Sequence, residues 1–150
     1  MGINFKHAVS DDIITILKFI KNFHGMSSYP FHEVKVGETV RNLIKNYNLG
    51  RIWIIEIDSK SVGYIILTFG YSIEYKGRDA FIDELYIEEE FRGRGIGKAA
   101  MNFIVKEARN LGIHAVHLEV ERDNAAAKKL YEKNDFKDNG RTLMTRWIEE

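Results

Sequence analysis

The chain reads as a mixed α/β domain (α+β in arrangement), and three features of the sequence predict this class. Some segments repeat apolar residues at three and four positions, while others alternate or run apolar over strand lengths. One β-rich run is followed at once by a glycine-rich loop and a helix start. The turn and cap residues between segments leave the order β-α-α-β-β-β-α-β-α-β-β, a central mixed sheet flanked by four helices.

Ile3–His7 predicts a short strand. Ser10 or Asp11 then caps a helix whose apolar positions are Ile13, Ile16, Leu17, Ile20 and Phe23, and Gly25 ends it. A loop over Met26–Tyr29 leads to Pro30, a residue suited to the first turn of a second helix. That helix carries Val36, Val40, Leu43 and Tyr47 on one side, and Gly50 closes it. Arg51–Ile57 and Val62–Tyr71 are β-rich runs separated by Asp58-Ser59-Lys60-Ser61, a hairpin signal. Lys76-Gly77-Arg78-Asp79 marks another turn before Ala80–Ile87. In that run strict alternation sets Phe81, Asp83, Leu85 and Ile87 against Ile82, Glu84 and Tyr86. A glycine cluster, Arg92–Gly97, opens a helix to Leu111, with Ala100, Ile104, Ala108 and Leu111 on one face and Gly112 as its cap. His114–Val120 predicts a strand, and Asp123 or Asn124 caps a fourth helix to about Lys133. Phe136–Lys137 and Thr142–Ile148 are expected as closing strands around the hairpin dipeptide Asn139-Gly140.

Length and composition bound the function. The 150 residues hold one proline, no low-complexity linker and no repeat, so residues 1–150 read as a single domain. Without cysteine there is no thiolate zinc site, iron–sulfur cluster, disulfide scaffold or cysteine nucleophile. Lys plus Arg and Asp plus Glu are 22 each, and this balance argues against a dedicated nucleic-acid binder. Apolar content of 45% with 29% charged residues is that of a folded chain rather than a disordered one. No apolar run approaches the ~18 residues of a membrane span. Met1-Gly2-Ile3-Asn4-Phe5-Lys6 lacks the regions of a signal peptide, so the expected location is the cytoplasm.

The chemistry concentrates in Ile82–Lys98. Strand, glycine loop and helix start follow one another there, and such a loop lets a phosphate reach main-chain amides at a positively polarised helix end. The charges agree: Arg92, Arg94, Lys98, Lys106 and Arg109 stand against the lone acid Glu107. A Walker loop is excluded because Ala99 follows Lys98. Gly95-Ile96-Gly97-Lys98-Ala99-Ala100 fits the dinucleotide fingerprint, but the elements around it come in the wrong order for that fold.

Arg92-Gly93-Arg94-Gly95-Ile96-Gly97 satisfies the acetyl-coenzyme A signature [Q/R]-x-x-G-x-[G/A], and here the sequence resembles the GCN5-related N-acetyltransferase (GNAT) family. Glu84-Leu85-Tyr86-Ile87 looks like the family's splayed strand. Asn124, Leu130-Tyr131-Glu132-Lys133 and Phe136 look like its N…A…LYEK.GF segment, and the likeness is close from Ala80 to Phe136. Two positions depart from the pattern. Glu89 and Glu90 stand in the stretch where many members carry proline, and Asp135 stands where glycine is usual, so Asn134 or Asp135 must supply any left-handed residue.

The resemblance implies a GNAT-like acyl-CoA N-acyltransferase fold and an acetyl-CoA-dependent transferase with no metal. Amides of Gly93, Arg94, Gly95, Ile96, Gly97 and Lys98, together with the Arg92 side of the loop, would hold the pyrophosphate of coenzyme A. Pantetheine would pair along Leu85, Tyr86 and Ile87. The amide of Tyr86 or Ile87 would stabilise the oxyanion. Asn124 would contact the cofactor and Tyr131 would act as general acid to the leaving thiolate. Asp83 and Glu84 lie where small-amine relatives place a carboxylate base. Alternation sends the two to opposite faces, so one is expected to serve, and polyamine-type relatives favour the Asp83 position.

The acceptor is expected to be a small cationic amine: a polyamine, diamine or lysine-like compound. Asp83, Glu84, Glu88, Glu89 and Glu90 are unopposed by any base between Ala80 and Glu90, and Tyr71, Glu74 and Tyr75 lie nearby. Specificity would reside in Gly25–Val36 and Tyr71–Arg78. A protein N-terminus or lysine as acceptor, or a non-catalytic coenzyme A sensor, are the alternatives, and a homodimer is a possibility that relatives suggest. His114 and His117, three apart on a strand, face opposite ways and do not chelate, and the five histidines read as structural.

Overall fold

A computed structural model of the chain describes residues 2–26 and 30–149. The expected loop residues Ser27, Ser28 and Tyr29 lie outside them. The elements are β1 (Ile3–His7), α1 (Ile13–His24), α2 (Glu33–Lys45), β2 (Gly50–Ile57), β3 (Lys60–Ser72), β4 (Gly77–Ile87), α3 (Ile96–Asn110), β5 (Ala115–His117) and α4 (Ala125–Lys133). The sheet runs β1-β2-β3-β4-β5, antiparallel except for the parallel pair β4–β5.

Local chemistry explains the boundaries. The β2–β3 hairpin turns on Asp58 and Ser59, both at positive φ (49° and 68°), which is the geometry of a two-residue turn that matches strand twist. Asp12, rather than Ser10 or Asp11, organises the start of α1. Its Oδ2 accepts from the Val9 amide at 2.8 Å and its Oδ1 accepts from Lys6 Nζ at 2.8 Å, after a single 3-10 turn over Ser10–Asp12. The α2 helix begins three residues after Pro30, with His32 as its extended flanking residue. It ends at Lys45, and Gly50 starts β2 instead of closing α2. The reason is steric: a Cβ at Gly50 would lie 2.1 Å from the Leu67 carbonyl oxygen across the sheet.

Two apolar clusters cover the two faces. On one side α3 packs Ile96, Ala100, Met101 and Ile104 against Trp53, Ile55, Ile65, Leu67, Ala80 and Ile82. On the other, α1 and α2 pack Ile16, Phe19, Ile20 and Val40 against Ile52, Ile54, Tyr64, Ile66 and Tyr86.

The strict alternation expected in β4 fails at Asp83. Ile66 faces Glu84 and Leu67 faces Ile82, so Asp83 is the extra residue of a β-bulge. The bulge shifts parity: Ile82 shares the α3 side with Leu85 and Ile87, while Tyr86 packs on the α1 side.

Three further expectations are corrected. The strand predicted over His114–Val120 pairs only through Ala115–His117. Phe136–Lys137 and Thr142–Ile148 form no strand, although the Asn139-Gly140 turn does form. Gly140 is left-handed (φ 73°), its amide donates to Asp138 Oδ1 at 2.7 Å, and the Arg141 amide donates to Asn139 Oδ1 at 3.0 Å. Local polar chemistry makes the turn, and the flanking residues find no ladder in their own chain. After α4, Asp135 is the left-handed residue (φ 65°).

Candidate active site

The parallel β4–β5 pairing begins at Asp79 opposite Ala115 and stops at Phe81 opposite His117. Beyond this point no described residue pairs with the outer edge of β4. The Glu88 amide donates to the Val62 carbonyl at 2.8 Å. Since amides alternate along a strand, those of Glu84 and Tyr86 also face β3, while those of Leu85 and Ile87 face the opening. Of the two amides proposed for an oxyanion, Ile87 therefore points into the gap and Tyr86 does not.

At the end of this edge the chain makes a 3-10 turn over Glu89–Phe91 and enters the glycine loop. Arg92 turns back and donates from Nε to the Ile87 carbonyl at 2.8 Å, and Arg94 donates to the Glu90 carbonyl at 2.8 Å. Gly93 and Gly95 are left-handed (φ 74° and 81°), and a Cβ at either would meet no atom within 4 Å. Their glycines are required by backbone conformation, and the space beside them is open. Gly97 differs: a Cβ there would sit 3.0 Å from Leu130, so it lets α4 approach α3. Ile96 is buried as the inner anchor of the helix, while Lys98 is exposed in its first turn. The result is an open concavity of main-chain donors at the amino end of a fifteen-residue helix, the donor set that a diphosphate fits.

On the α3 side of the gap, α4 brings Leu130 and Tyr131 onto the cluster that holds Leu85 and Ile87. Burial raises the Tyr131 phenol above its usual range, so it keeps its proton through neutral pH. Asn124 caps α4, its Oδ1 accepting from the Ala127 amide at 3.1 Å, with the rest of the residue exposed. The caps Asp123 and Asn124 were both open from sequence, and Asn124 is the one used.

On the α1 side lies a polar cluster. Glu84 accepts from the Tyr64 hydroxyl at 2.6 Å and meets His24 Nε2 at 2.7 Å, with its side chain only 17% exposed. The Asp83 carboxyl is raised above the usual range by desolvation, then by Glu84 and Glu119, with His24 opposing. The bulge leaves Asp83 without a cross-strand partner, so alternation along β4 no longer fixes which face it takes relative to Glu84. Phe23 and Phe31 flank His24. Below, His117 meets Asp79 at 2.9 Å under the ring of Tyr75, and His114 contacts the Tyr75 carbonyl at 3.1 Å. Glu74, one of the expected substrate-loop acids, pairs with Arg141 at 2.9 Å. A shallow depression of about 520 Å³ lined by Tyr86, Glu88, Glu89 and Glu90 adjoins the loop.

The residues missed from sequence are Tyr64, His24 and Glu119. Tyr64 looks like any strand aromatic, and His24 lies sixty residues from Glu84, so no local pattern joins them. No group of described residues has the His, Asp and Glu clustering of a metal site.

Comparison with known proteins gives the class. The model of the Acetyltransferase (GNAT) family matches residues 18–136, and the chain belongs to this family. Among its relatives is an N-acetyltransferase of Methanocaldococcus jannaschii, 24% identical over 145 residues. The match covers 95% of this chain and 63% of that one, so this chain spans under two thirds of that relative's length. A thialysine N-epsilon-acetyltransferase of Bos taurus is 34% identical over 70 residues, covering 47% of this chain and 41% of that one. The crystal structure of an acetyltransferase from Clostridium acetobutylicum, solved with acetyl-CoA, superposes with a TM-score of 0.80 at 22% identity, over 97% of this chain and 96% of that one.

Proposed function

We propose that the chain is an acetyl-CoA-dependent N-acetyltransferase acting by direct transfer to a small cationic primary amine, of the polyamine, diamine or lysine-like kind. The observation that carries the reading is the gap between β4 and β5, with the glycine cradle at its end, tyrosine on one side and carboxylates on the other. The gap joins the two faces of the sheet, so a carrier held on the α3 side and an amine held on the α1 side can meet across it.

Acetyl-CoA supplies an acetyl group activated as a thioester. The loop amides from Gly93 to Lys98 bind its diphosphate, and the open amide and carbonyl of Leu85 hold its amide-bearing arm along the strand edge. The Ile87 amide donates to the acetyl carbonyl oxygen, where negative charge develops during attack. An alkylamine is protonated at neutral pH and must lose a proton before attacking. Asp83 is assigned as the base, directly or through water. Its raised affinity for protons suits that role better than an ordinary Asp, and Glu84 already holds two partners. Tyr131 donates its proton to the departing sulfur.

The acceptor class rests on charge. Glu88, Glu89 and Glu90 line the depression beside the loop, and Glu84 and Glu119 are near enough to Asp83 to add to the rise that burial gives its carboxyl, an environment that attracts a cation. The bovine relative's name, a thialysine acetyltransferase, agrees with a lysine-like amine. An acetyl-transfer screen over polyamines, diamines, lysine analogues, aminoglycosides and peptides tests this reading. Turnover with the small cationic amines is expected. Turnover of peptides alone would make the acceptor a protein, and cofactor binding without transfer to any amine would make the chain a sensor.

A further inference from the structure

We propose that Arg51 and Arg78 form an anion site at the far end of the sheet from the glycine loop, one that takes a phosphate dianion, free or as a monoester. The site does not depend on acetyl transfer, and neither does its test.

The two arginines reach one place from two strands. In β2 Arg51 shares the parity of Trp53 and Ile55, which pack on the α3 side. In β4, ahead of the bulge, Arg78 shares the parity of Ala80 and Ile82, which pack there too. Phe69 of β3 lies between these strands and joins the same cluster. The guanidinium carbon of Arg51 stands 5.3 Å from the centre of the Phe69 ring, and that of Arg78 stands 4.9 Å from it. Arg51 also lies over the Tyr47 ring at 4.2 Å. From Arg78 to Ile87 the strand runs about 30 Å at ~3.3 Å per residue, so the pair is remote from the glycine loop.

Two cations share one ring here without a counter-charge. The chain has as many acids as bases, 22 of each. Yet neither guanidinium forms an ion pair with any described residue. Asp79, next to Arg78 in sequence, has the opposite parity and is paired with His117. Burial, and then the charge of Arg78, lower Arg51 from its ordinary value, and no carboxylate acts on it. A ring face attracts a guanidinium. A second one brings repulsion that no described acid offsets.

The donors are set for a ligand. Arg51 is half-buried and held by Nη1, which donates to the carbonyls of Tyr47 and Gly50, the latter at 2.8 Å. Its Nε and Nη2 have no acceptor among the described residues, and the half-buried Arg78 guanidinium donates to none of them. A guanidinium is a planar fork that meets two phosphate oxygens at once. Two such forks carry together the charge that balances a phosphate dianion. A single carboxylate would leave one of the cations unmatched.

The test is a titration of the intact, 15N-labelled chain with inorganic phosphate above neutral pH and at constant ionic strength, followed amide by amide. The amides of Arg51, Phe69 and Arg78 are expected to shift and to saturate at millimolar phosphate or below. R78Q removes no side-chain hydrogen bond of the fold, and it should weaken this response at least about tenfold while leaving any response of Gly93–Lys98 unchanged. R51Q should do the same, and if it fails to fold, R78Q decides. Glycerol 3-phosphate run in parallel names the source: tighter binding than inorganic phosphate upholds the site for a monoester, and equal or weaker binding upholds it for the free ion. No saturable shift at Arg51, Phe69 and Arg78, or a shift that R78Q leaves as it was, would overturn the proposal.

Discussion

Nε2 of His24 lies 2.7 Å from Oε2 of Glu84, tying the last residue of α1 to the middle of β4. The other oxygen of the same carboxylate accepts from Tyr64, a tyrosine with no exposed surface. One carboxylate therefore joins a helix end and two strands, and fixes the point at which α1 ends.

Replacing Glu84 by Ala should strand the buried Tyr64 hydroxyl and cost about 1–3 kcal/mol of stability. Adding Tyr64→Phe should return part of that loss, because the hydroxyl is then gone. Urea unfolding of the two variants measures this. Additive losses would show that the hydroxyl and the carboxylate act separately.

Asp83 gives a pH prediction with a definite sign. Its carboxyl is raised by desolvation, Glu84 and Glu119. A base must be ionised, so kcat/KM should climb as pH rises through a value above the ordinary Asp range. Asp83→Asn should remove that limb along with most of the turnover. The same shift acts on stability in the reverse sense. A raised folded-state value contributes stability below the unfolded value, and this is lost as pH rises through the folded one. Asp83→Asn should therefore be at least as stable as the parent chain at neutral pH, as thermal unfolding at two pH values would reveal.

Tyr131→Phe separates binding from chemistry. The ring still packs on the α3 cluster while the proton donor is lost, so kcat should fall on the order of 10²-fold with acetyl-CoA affinity little changed. Calorimetry and steady-state rates together check this split.

Gly95→Ala and Gly63→Ala should fail for different reasons. At Gly95 the added Cβ has room but the φ of 81° does not suit it, a cost of about 1–2 kcal/mol, and the loss should appear mainly as weaker acetyl-CoA binding. At Gly63 the Cβ would lie 2.1 Å from the Tyr86 carbonyl oxygen, so the β3–β4 pairing must shift and the midpoint of unfolding should drop.

Asp12 controls the acid end of the stability curve. Burial pushes its carboxyl up, but the hydrogen bonds from Lys6 and the Val9 amide outweigh this and hold it below the usual range. Its contribution is then present above the unfolded value and lost as pH falls through the lower folded one. Asp12→Asn should flatten the acid limb of a stability–pH curve, and Lys6→Met should do so partially, by at most about 1 kcal/mol.

The conformation of the glycine loop was legible in sequence because it is local: Arg92–Gly97 carries its own conformational demands, and Gly93 and Gly95 meet them at positive φ. The hairpin at Asp58-Ser59 and the cap at Asn124 were legible for the same reason. What escaped depends on partners distant in the chain. The bulge at Asp83 is set by the register with Ile66 and Leu67, and no pattern inside β4 betrays it, so strict alternation misassigned the faces beyond it. The early end of β5 is likewise a matter of where β4 diverges. The Thr142–Ile148 pattern reads as a strand from its composition, yet a strand also needs a partner edge, and among the described residues the segment pairs with none.

The sheet's two coverings, Ile96–Ile104 with their partners on one side and Ile16–Val40 with theirs on the other, share strands but few side chains. On the proposed reading, substitutions under α1 and α2 would reshape the side that receives the amine and leave the side that grips the carrier as it was. Descendants of such a chain would then diverge in what they modify and stay constant in the donor they draw upon.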